Sequence, residues 1–319
     1  MCAEGSQRAK SSKGDKKSTL HDEVPSKELR SWVNDYRETR KIYIPGTDVD
    51  VGYSLWWAML FSLKRLLWRY ALYSLGWPRG SLDTYFTSAC FVSCYHSVTL
   101  LFGLYAILRS QKYVPSGKLQ PSPSWYKDAT HSLMSFCTGY MVYDSIMGYV
   151  VETWQPGKGP VLTADDKLYL GHHILTTLYM TSARYMKAGH MSAMSLMFNG
   201  EFSAPIMNLT LILEKMLQSE SCRNFEWLPS LHVYVEQVFS IVYLICRVAV
   251  SPFVIGHVTF DLLFTKNGRK DVPIWLSLLW MPLCWGVQFG SIGWIMTCIE
   301  TIKTGPLGGG LFGTTLSEL

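Results

Sequence analysis

Charged residues are scarce in this 319-residue chain once the first fifty positions are passed. Asp, Glu, Lys and Arg make up only 17% of the sequence, and ten of the 29 Lys and Arg lie within residues 1–50. An average globular protein has about 25% charged residues, because such side chains must cover its whole surface. The scarcity argues against a soluble globular fold, and the 48% of hydrophobic residues argue against a wholly disordered chain.

Several motifs that define common enzyme classes are also missing. The sequence has no Walker loop, no HExxH and no GxSxG, which removes the usual P-loop nucleotide, zinc-protease and hydrolase interpretations. Among the eight cysteines there is no CxxC pair, and Cys90 and Cys94 have no second cysteine pair to complete a zinc site. We therefore predict no metal site and expect the cysteines to be small buried thiols.

What the chain has in quantity is long apolar segments. A membrane-spanning helix needs about 20 predominantly apolar residues. Seven segments approach or exceed this length, at about 53–75, 85–108, 130–151, 168–186, 190–214, 232–263 and 273–301. The pattern predicts an all-α, polytopic transmembrane helix bundle. It has six or seven spans, depending on whether 53–75 crosses the membrane despite Lys64, Arg65 and Arg69 in its middle.

The composition divides the chain into three parts. Residues 1–50 predict a basic, largely disordered arm with a short amphipathic helix, suited to an anionic membrane surface. No nucleic-acid-binding motif accompanies its Lys and Arg, so no nucleic-acid partner is predicted. Residues 51–303 form the transmembrane domain, and residues 304–319 predict a flexible Gly-rich tail. The first twenty residues have no apolar core, so we expect targeting by the first membrane segment.

The distribution of basic residues predicts an orientation. With seven spans and a cytosolic N-terminus, nineteen Lys and Arg fall on the cytosolic side and six on the other side. Because cytosolic loops carry the excess of Lys and Arg, this count favours a cytosolic N-terminus.

Polar side chains inside the apolar segments are the candidate functional residues, because their burial in lipid costs several kcal/mol. They are His96, Asp144, His172, His173, Glu201, Glu236, Arg247 and Asp261. Because segments two to six all contribute, we expect a polar cavity within the bundle.

The adjacent histidines form the most conspicuous local feature. Neighbouring residues on a helix point about 100° apart, so His172 and His173 should have different partners and should not chelate one metal together. Each shares a helix face with a threonine four residues on, Thr176 and Thr177. A histidine facing a cavity can act as a general base. The alternative is a pair of interhelical hydrogen bonds that orients the bundle.

Two carboxylates in the middle of segments need partners. Asp144 should pair with a His or Arg, and an Asp144–Arg247 or Glu201–Arg247 ion pair would be structural. Glu201 precedes Pro205, which removes a backbone donor, so we expect the helix to open there. A carboxylate beside an opened helix can contact a ligand. The alternative is a proline kink whose polar groups, including this carboxylate, are hydrogen-bonded within the protein.

These residues together resemble the TLC domain, shared by translocating-chain-associated proteins, ceramide synthases and a ceroid-lipofuscinosis protein. The resemblance covers about Thr84 to Ile302. It rests on the order of Ser93-Cys94-Tyr95-His96, Tyr143-Asp144, His172-His173-x-x-Thr176, Glu201-Phe202-Ser203-x-Pro205-x-x-Asn208 and Arg247. It implies a bundle of at least five helices around a lipid-accessible cavity. By this resemblance the catalytic candidates are His172, His173 and Asp144, and the cavity residues are His96, Thr176, Glu201, Asn208 and Arg247.

The chain departs from the ceramide synthases after its histidine pair. Those enzymes have aspartates about twenty-five residues on, where this chain reads Met194 to Ser203 without one. It is more similar to the non-synthase branch. That branch implies a protein that binds or senses membrane lipids or fatty-acyl chains and influences lipid composition, with the endoplasmic reticulum as the usual location and no cofactor.

Two alternatives remain open at this stage. The first is an acyl-CoA-dependent N-acyltransferase similar to ceramide synthase, in which His172 or His173 takes the proton of an attacking amine and acyl-CoA is the co-substrate. The second is an ion-coupled transporter that uses Asp144, Glu201 and Arg247. A transporter of this kind is expected to show inverted repeats, and the sequence has none that we detect.

Overall fold

The structure, a computed structural model, describes residues 41–222 and 224–304, and in that part the chain is all-helical apart from one two-stranded hairpin. The helices are α1 (Gly52–Ser74), α2 (Leu82–Ser110), α3 (Ser124–Ile146), α4 (Ala164–Met186), α5 (His190–Glu201), α6 (Ala204–Gln218), α7 (Leu228–Leu244), α8 (Ser251–Phe264), α9 (Lys266–Asp271), α10 (Ile274–Gly290) and α11 (Ile292–Thr304). This confirms the all-α prediction. Most of the predicted arm and the predicted tail lie outside the described residues.

Shorter elements connect the helices. A π-helical turn, Met147–Val151, continues α3 into a hairpin of β1 (Trp154–Gln155) and β2 (Gly159–Pro160), in which Trp154 is paired with Pro160. A 3₁₀ turn, Glu220–Cys222, follows α6, and a second π-helical turn, Ile245–Val250, joins α7 to α8.

Three helical stretches are long and apolar enough to cross a membrane. They are Leu82–Ser110, Leu228–Phe264 and Ile274–Lys303, as judged by length and composition over the described residues. The chain is therefore a membrane protein with transmembrane helices. The count of six or seven spans stays a prediction, because shorter or more polar helices account for the other four apolar segments.

Local sequence explains where several helices begin. Ser81 caps α2 by accepting a hydrogen bond from the Asp83 backbone N–H. At the start of α4, the Thr163 hydroxyl accepts from the Asp166 N–H and the Asp166 carboxylate accepts from the Thr163 N–H. This capping box satisfies two N–H groups that a helix start would leave unpaired. It fixes the start of the helix that carries the histidine pair.

The helix opening expected near Pro205 is present, and two later apolar segments are interrupted as well. The segment from 190 opens between α5 and α6, three residues before Pro205, and the segment from 232 is interrupted by the second π turn directly before Pro252. The last apolar segment also divides, since α10 ends at Gly290 and α11 begins at Ile292.

The helices pack so that α1 lies against α2 and α3, α2 against α5 and α6, and α3 against α4. Helix α7 packs against α6 and α11, and α8 packs against α5 and α10. The core at the α1–α3 side is aromatic: Phe61 is fully buried and contacts the rings of Phe136, Tyr140 and Tyr143.

Residues 41–51 lie within or beside the predicted arm and form a turn closed by a bridge between Tyr43 and Asp50. The turn is attached to the end of α4, because Lys187 forms an ion pair with Asp48 and Arg184 donates to the Asp50 carbonyl. The hydrogen bond from Lys187 holds the pKa of Asp48 below its ordinary value.

Candidate functional site: an intramembrane polar cavity

A cavity of about 120 Å³ lies among α3, α4, α5, α8, α10 and the second π turn. Most of its wall is apolar, from side chains such as Leu175, Leu196, Met197, Ile255 and Val287. Polar side chains interrupt this wall, among them His172, Thr176, Asn199, Glu201, Arg247 and Gln288. Mostly apolar walls with a few polar groups are typical of ligand sites.

Three of these polar side chains lie in or within a few residues of an interruption of the α-helices. Glu201 is the last residue of α5, Arg247 lies in the second π turn, and Gln288 lies two residues before α10 ends. Interrupted helices are tolerated at membrane depth only where protein or a cavity surrounds them. π-Helical turns are also frequently found at functional sites. The meeting of three interruptions at one cavity therefore marks it as a binding site candidate.

Three buried polar atoms at the cavity residues have no hydrogen-bond partner. They are His172 Nδ1, Arg247 Nε and Gln288 Oε1. The other end of the Gln288 amide is held, because its Nε2 donates to the Arg247 backbone carbonyl over 2.7 Å. A buried polar atom without a partner costs about 1–3 kcal/mol. A polar ligand that bonded these atoms would remove that cost.

The histidine pair divides between two environments, as the helical spacing predicts. His172 lines the cavity. His173 does not line it, and its Nδ1 lies 3.7 Å from Asp144 Oδ2 on α3, so Asp144 has the His partner that was expected. The two imidazole rings are 5.8 Å apart.

His96 and Glu201 meet beside the cavity. His96 is fully buried, it stacks on Tyr140 with 3.9 Å between ring centroids, and its Nδ1 lies 4.0 Å from Glu201 Oε2. Ser97 Oγ donates to the same carboxylate oxygen over 2.6 Å. Glu201 therefore lines the cavity and also accepts a hydrogen bond from Ser97 of α2.

The remaining predicted site residues are placed as follows. Thr176 lines the cavity one turn after His172. Asn208 lies outside the lining, where its Nδ2 donates to Ser93 Oγ on α2 over 2.9 Å and to the Ala204 carbonyl over 2.8 Å. This arrangement joins α6 to α2.

The expected ion pairs of Arg247 do not form. No contact of 4.0 Å or less joins its guanidinium to Asp144 or to Glu201, and its charge lies 5.6 Å from the Tyr243 ring. Neither of the two Arg247 ion pairs considered from the sequence is therefore present. The π turn directs this side chain to the cavity instead.

Sequence reasoning missed a second polar cluster, formed by Arg65, Arg69 and Glu152. The Glu152 carboxylate forms ion pairs with both arginines, and Arg65 also donates to the Tyr143 hydroxyl over 3.3 Å. This explains how α1 carries charge in its middle: Arg65 is only 2% exposed and faces protein. Glu152 ends the third apolar segment, a position that gave no signal of burial.

Gln288 was missed for a different reason. Its amide carries no charge, so it does not stand out as an ionisable side chain does, although a neutral polar residue in Trp-Gly-Val-Gln-Phe is itself a signal. In the described part of the chain, no group of three or more His, Cys, Asp or Glu side chains could hold a metal ion.

The fold and the site define a helical membrane protein with a polar cavity between its helices. Residues 85–300, about two thirds of the chain, match the family model of the TLC domain. The chain therefore belongs to the TLC domain family. A comparison with curated proteins finds no match.

Proposed function

We propose that this TLC-domain membrane protein binds a lipid with its polar part in the cavity, and thereby influences the lipid composition of its membrane. The observation that carries the proposal is the set of three unpartnered buried atoms, His172 Nδ1, Arg247 Nε and Gln288 Oε1, in an otherwise apolar wall. We further propose an endoplasmic reticulum location and a cytosolic N-terminus, which follow from the resemblance and the basic-residue count.

The size of the cavity supports a lipid whose polar part alone enters it. Sites that enclose a whole drug-sized ligand measure about 300–1,000 Å³, and this cavity measures about 120 Å³. It has room for a polar group or the end of a chain. The rest of the molecule would then remain between apolar side chains and the bilayer, as a membrane lipid can.

The experiment is lipid mass spectrometry on protein purified in mild detergent. We expect a defined lipid with the wild type and at least about a tenfold loss in His172→Ala, as expected from losing one good polar contact. His232→Ala is the matched control, because His232 also has a buried unpartnered nitrogen but does not line the cavity. Equal lipid on all three proteins would contradict the proposal.

One observation favours a second candidate, an acyl-CoA-dependent N-acyltransferase. The Asp144–His173 contact of 3.7 Å resembles a base oriented by a carboxylate, and it lies next to the histidine of the cavity. In this candidate the amine nitrogen attacks the thioester carbonyl of acyl-CoA, CoA leaves as the thiol, and a histidine takes the amine proton.

His173→Ala separates the two candidates. Lipid retention without chemistry should survive this change, since His173 does not line the cavity. Acyl transfer should be abolished by it and should require added acyl-CoA. Formation of labelled amide from acyl-CoA by the wild type, lost in His173→Ala protein that keeps its thermal midpoint, would establish the enzyme.

A further inference from the structure

We propose that the cavity selects a zwitterionic lipid head group, with the phosphate at Arg247 and the ammonium at Glu201. This inference rests on the proposed lipid binding and adds the chemical class of the ligand. Among the described residues that line the cavity, Arg247 is the one Lys or Arg and Glu201 is the one Asp or Glu.

These two opposite charges do not neutralise each other directly. No contact of 4.0 Å or less joins the guanidinium to the carboxylate. A pair of charges held apart in a largely apolar wall is costly unless each has a partner. A ligand that carries both signs can give a counter-charge to each of them.

The Arg247 end is suited to a phosphate. A guanidinium presents five N–H donors in a plane and matches phosphate oxygens in pairs. Its Nε is buried and has no hydrogen-bond acceptor, so at least one donor is available. The Gln288 Oε1 beside it is an unused acceptor, and Gln288 is only 8% exposed. It can accept from an N–H or O–H of the same head group.

The Glu201 end is suited to an ammonium. Its carboxylate offers about four acceptor sites, and the structure fills one oxygen with a donor, Ser97 Oγ at 2.6 Å. Glu201 is also the last residue of α5, where unpaired carbonyl groups carry partial negative charge. A carboxylate and a helix C-terminus at one place both favour a cation.

The same arrangement disfavours other head groups. A head group with a phosphate and no cation would place a net negative charge next to Glu201. A neutral diacylglycerol would leave the Arg247 charge without a partner. Both cases leave a partly buried charge without a counter-charge, which is a physical basis of discrimination.

The test compares four lipids with identical acyl chains on delipidated wild-type protein. They are phosphatidylcholine, phosphatidylethanolamine, phosphatidylglycerol and diacylglycerol, and native mass spectrometry gives the bound fraction of each. We expect at least one of the two zwitterionic lipids to bind at least about tenfold more tightly than the other two, the ratio given by one charge-assisted hydrogen bond.

Charge-neutralising variants assign the two ends. Glu201→Gln should remove the preference for zwitterionic lipid over phosphatidylglycerol. Arg247→Gln should weaken all three phospholipids and leave diacylglycerol unchanged. The matched controls are Glu214→Gln on α6 and Arg109→Gln on α2, neither of which lines the cavity. Both controls should keep the wild-type ranking.

The outcomes distinguish this inference from the function on which it rests. Saturable binding of all four lipids with equal affinity would overturn the zwitterion proposal and leave the lipid site intact. Binding of none would overturn both. If a variant fails to fold, as judged by its thermal midpoint, the ranking of the four lipids on the wild type decides.

Discussion

At the scale of residues, one carboxylate holds two cations inside the bundle. Glu152 accepts from Arg65 and Arg69, and its side chain is 13% exposed. Arg69 also lies over the Tyr85 ring, 4.2 Å from its centroid. Breaking a buried ion pair by removing one partner costs about 3–5 kcal/mol, because the other charge stays behind uncompensated. Here two charges would stay behind.

We therefore predict that Glu152→Gln lowers the free energy of unfolding by about 3–5 kcal/mol. The measurement is denaturant unfolding in detergent, followed by tryptophan fluorescence. Glu226→Gln is the control, since Glu226 is exposed, and it should change stability by less than about 0.5 kcal/mol. Similar stability of the two variants would mean that the ion pairs contribute little to the fold.

At the scale of elements, the closest approach of α1 and α3 depends on a glycine. A methyl group at Gly139 would lie 2.6 Å from the Ser54 carbonyl oxygen and 2.6 Å from Trp57 Cβ. Small residues of this kind let helix backbones approach closely in membrane proteins. The contact also helps to place Tyr140 and Tyr143, which follow Gly139 in the core.

We predict that Gly139→Ala destabilises the protein by about 1–3 kcal/mol, the usual cost of overpacking. The control is Gly256→Ala in α8, where an added methyl group meets nothing within 4 Å. That change should be neutral or stabilising by up to about 1 kcal/mol, because alanine favours helix. The measurement is the thermal midpoint of both variants and the wild type in one detergent. A decrease of the midpoint in both variants would contradict the prediction.

The interruptions of the helices were only partly predictable. Pro205 and Pro252 indicate breaks because each lacks a backbone N–H, and the chain opens within a few residues of both. Pro282 lies inside α10 without ending it, and the break at Ser291 has no proline. A backbone carbonyl that loses its donor to proline can be bonded by another group, and this depends on packing. The packing cannot be predicted from a single sequence.

At the scale of the whole molecule, the orientation in the membrane is still a prediction. Seven crossings with a cytosolic N-terminus require the two chain ends to lie on opposite sides. The basic residues of α1 are compatible with a membrane crossing, because the Arg65 side chain faces protein and α1 packs against α2 and α3.

We predict that tags at the N- and C-termini show opposite accessibility in sealed microsomes, with the N-terminal tag accessible from the cytosolic side. Protease protection before and after membrane permeabilisation measures this. A tag inserted after Gly157, at the exposed tip of the β1–β2 hairpin, serves as the internal control and should be protected. Two termini on the same side, together with a hairpin tag on the side of the N-terminus, would show that α1 does not cross.

The apolar segments were predictable because a membrane crossing needs a long apolar run, and that requirement is visible in any one segment. The polar contacts between segments were less predictable. Glu152 is 87 residues from Arg65 and 83 from Arg69, and Arg247 contacts neither of the carboxylates proposed for it from the sequence. Contacts between segments depend on helix rotation and packing, so only their chemical types could be anticipated.

Helix α2 is longer than a typical bilayer core is thick. Between Asp83 and Arg109 it has no Asp, Glu, Lys or Arg, and residues 84–108 would extend about 37 Å at 1.5 Å per residue. The hydrocarbon core measures about 30 Å. This mismatch must be absorbed by tilting of the helix or by local thickening of the bilayer. Ser97 on α2 donates to Glu201 in the cavity wall, so we expect a tilt of α2 that follows bilayer thickness to shift this carboxylate as well.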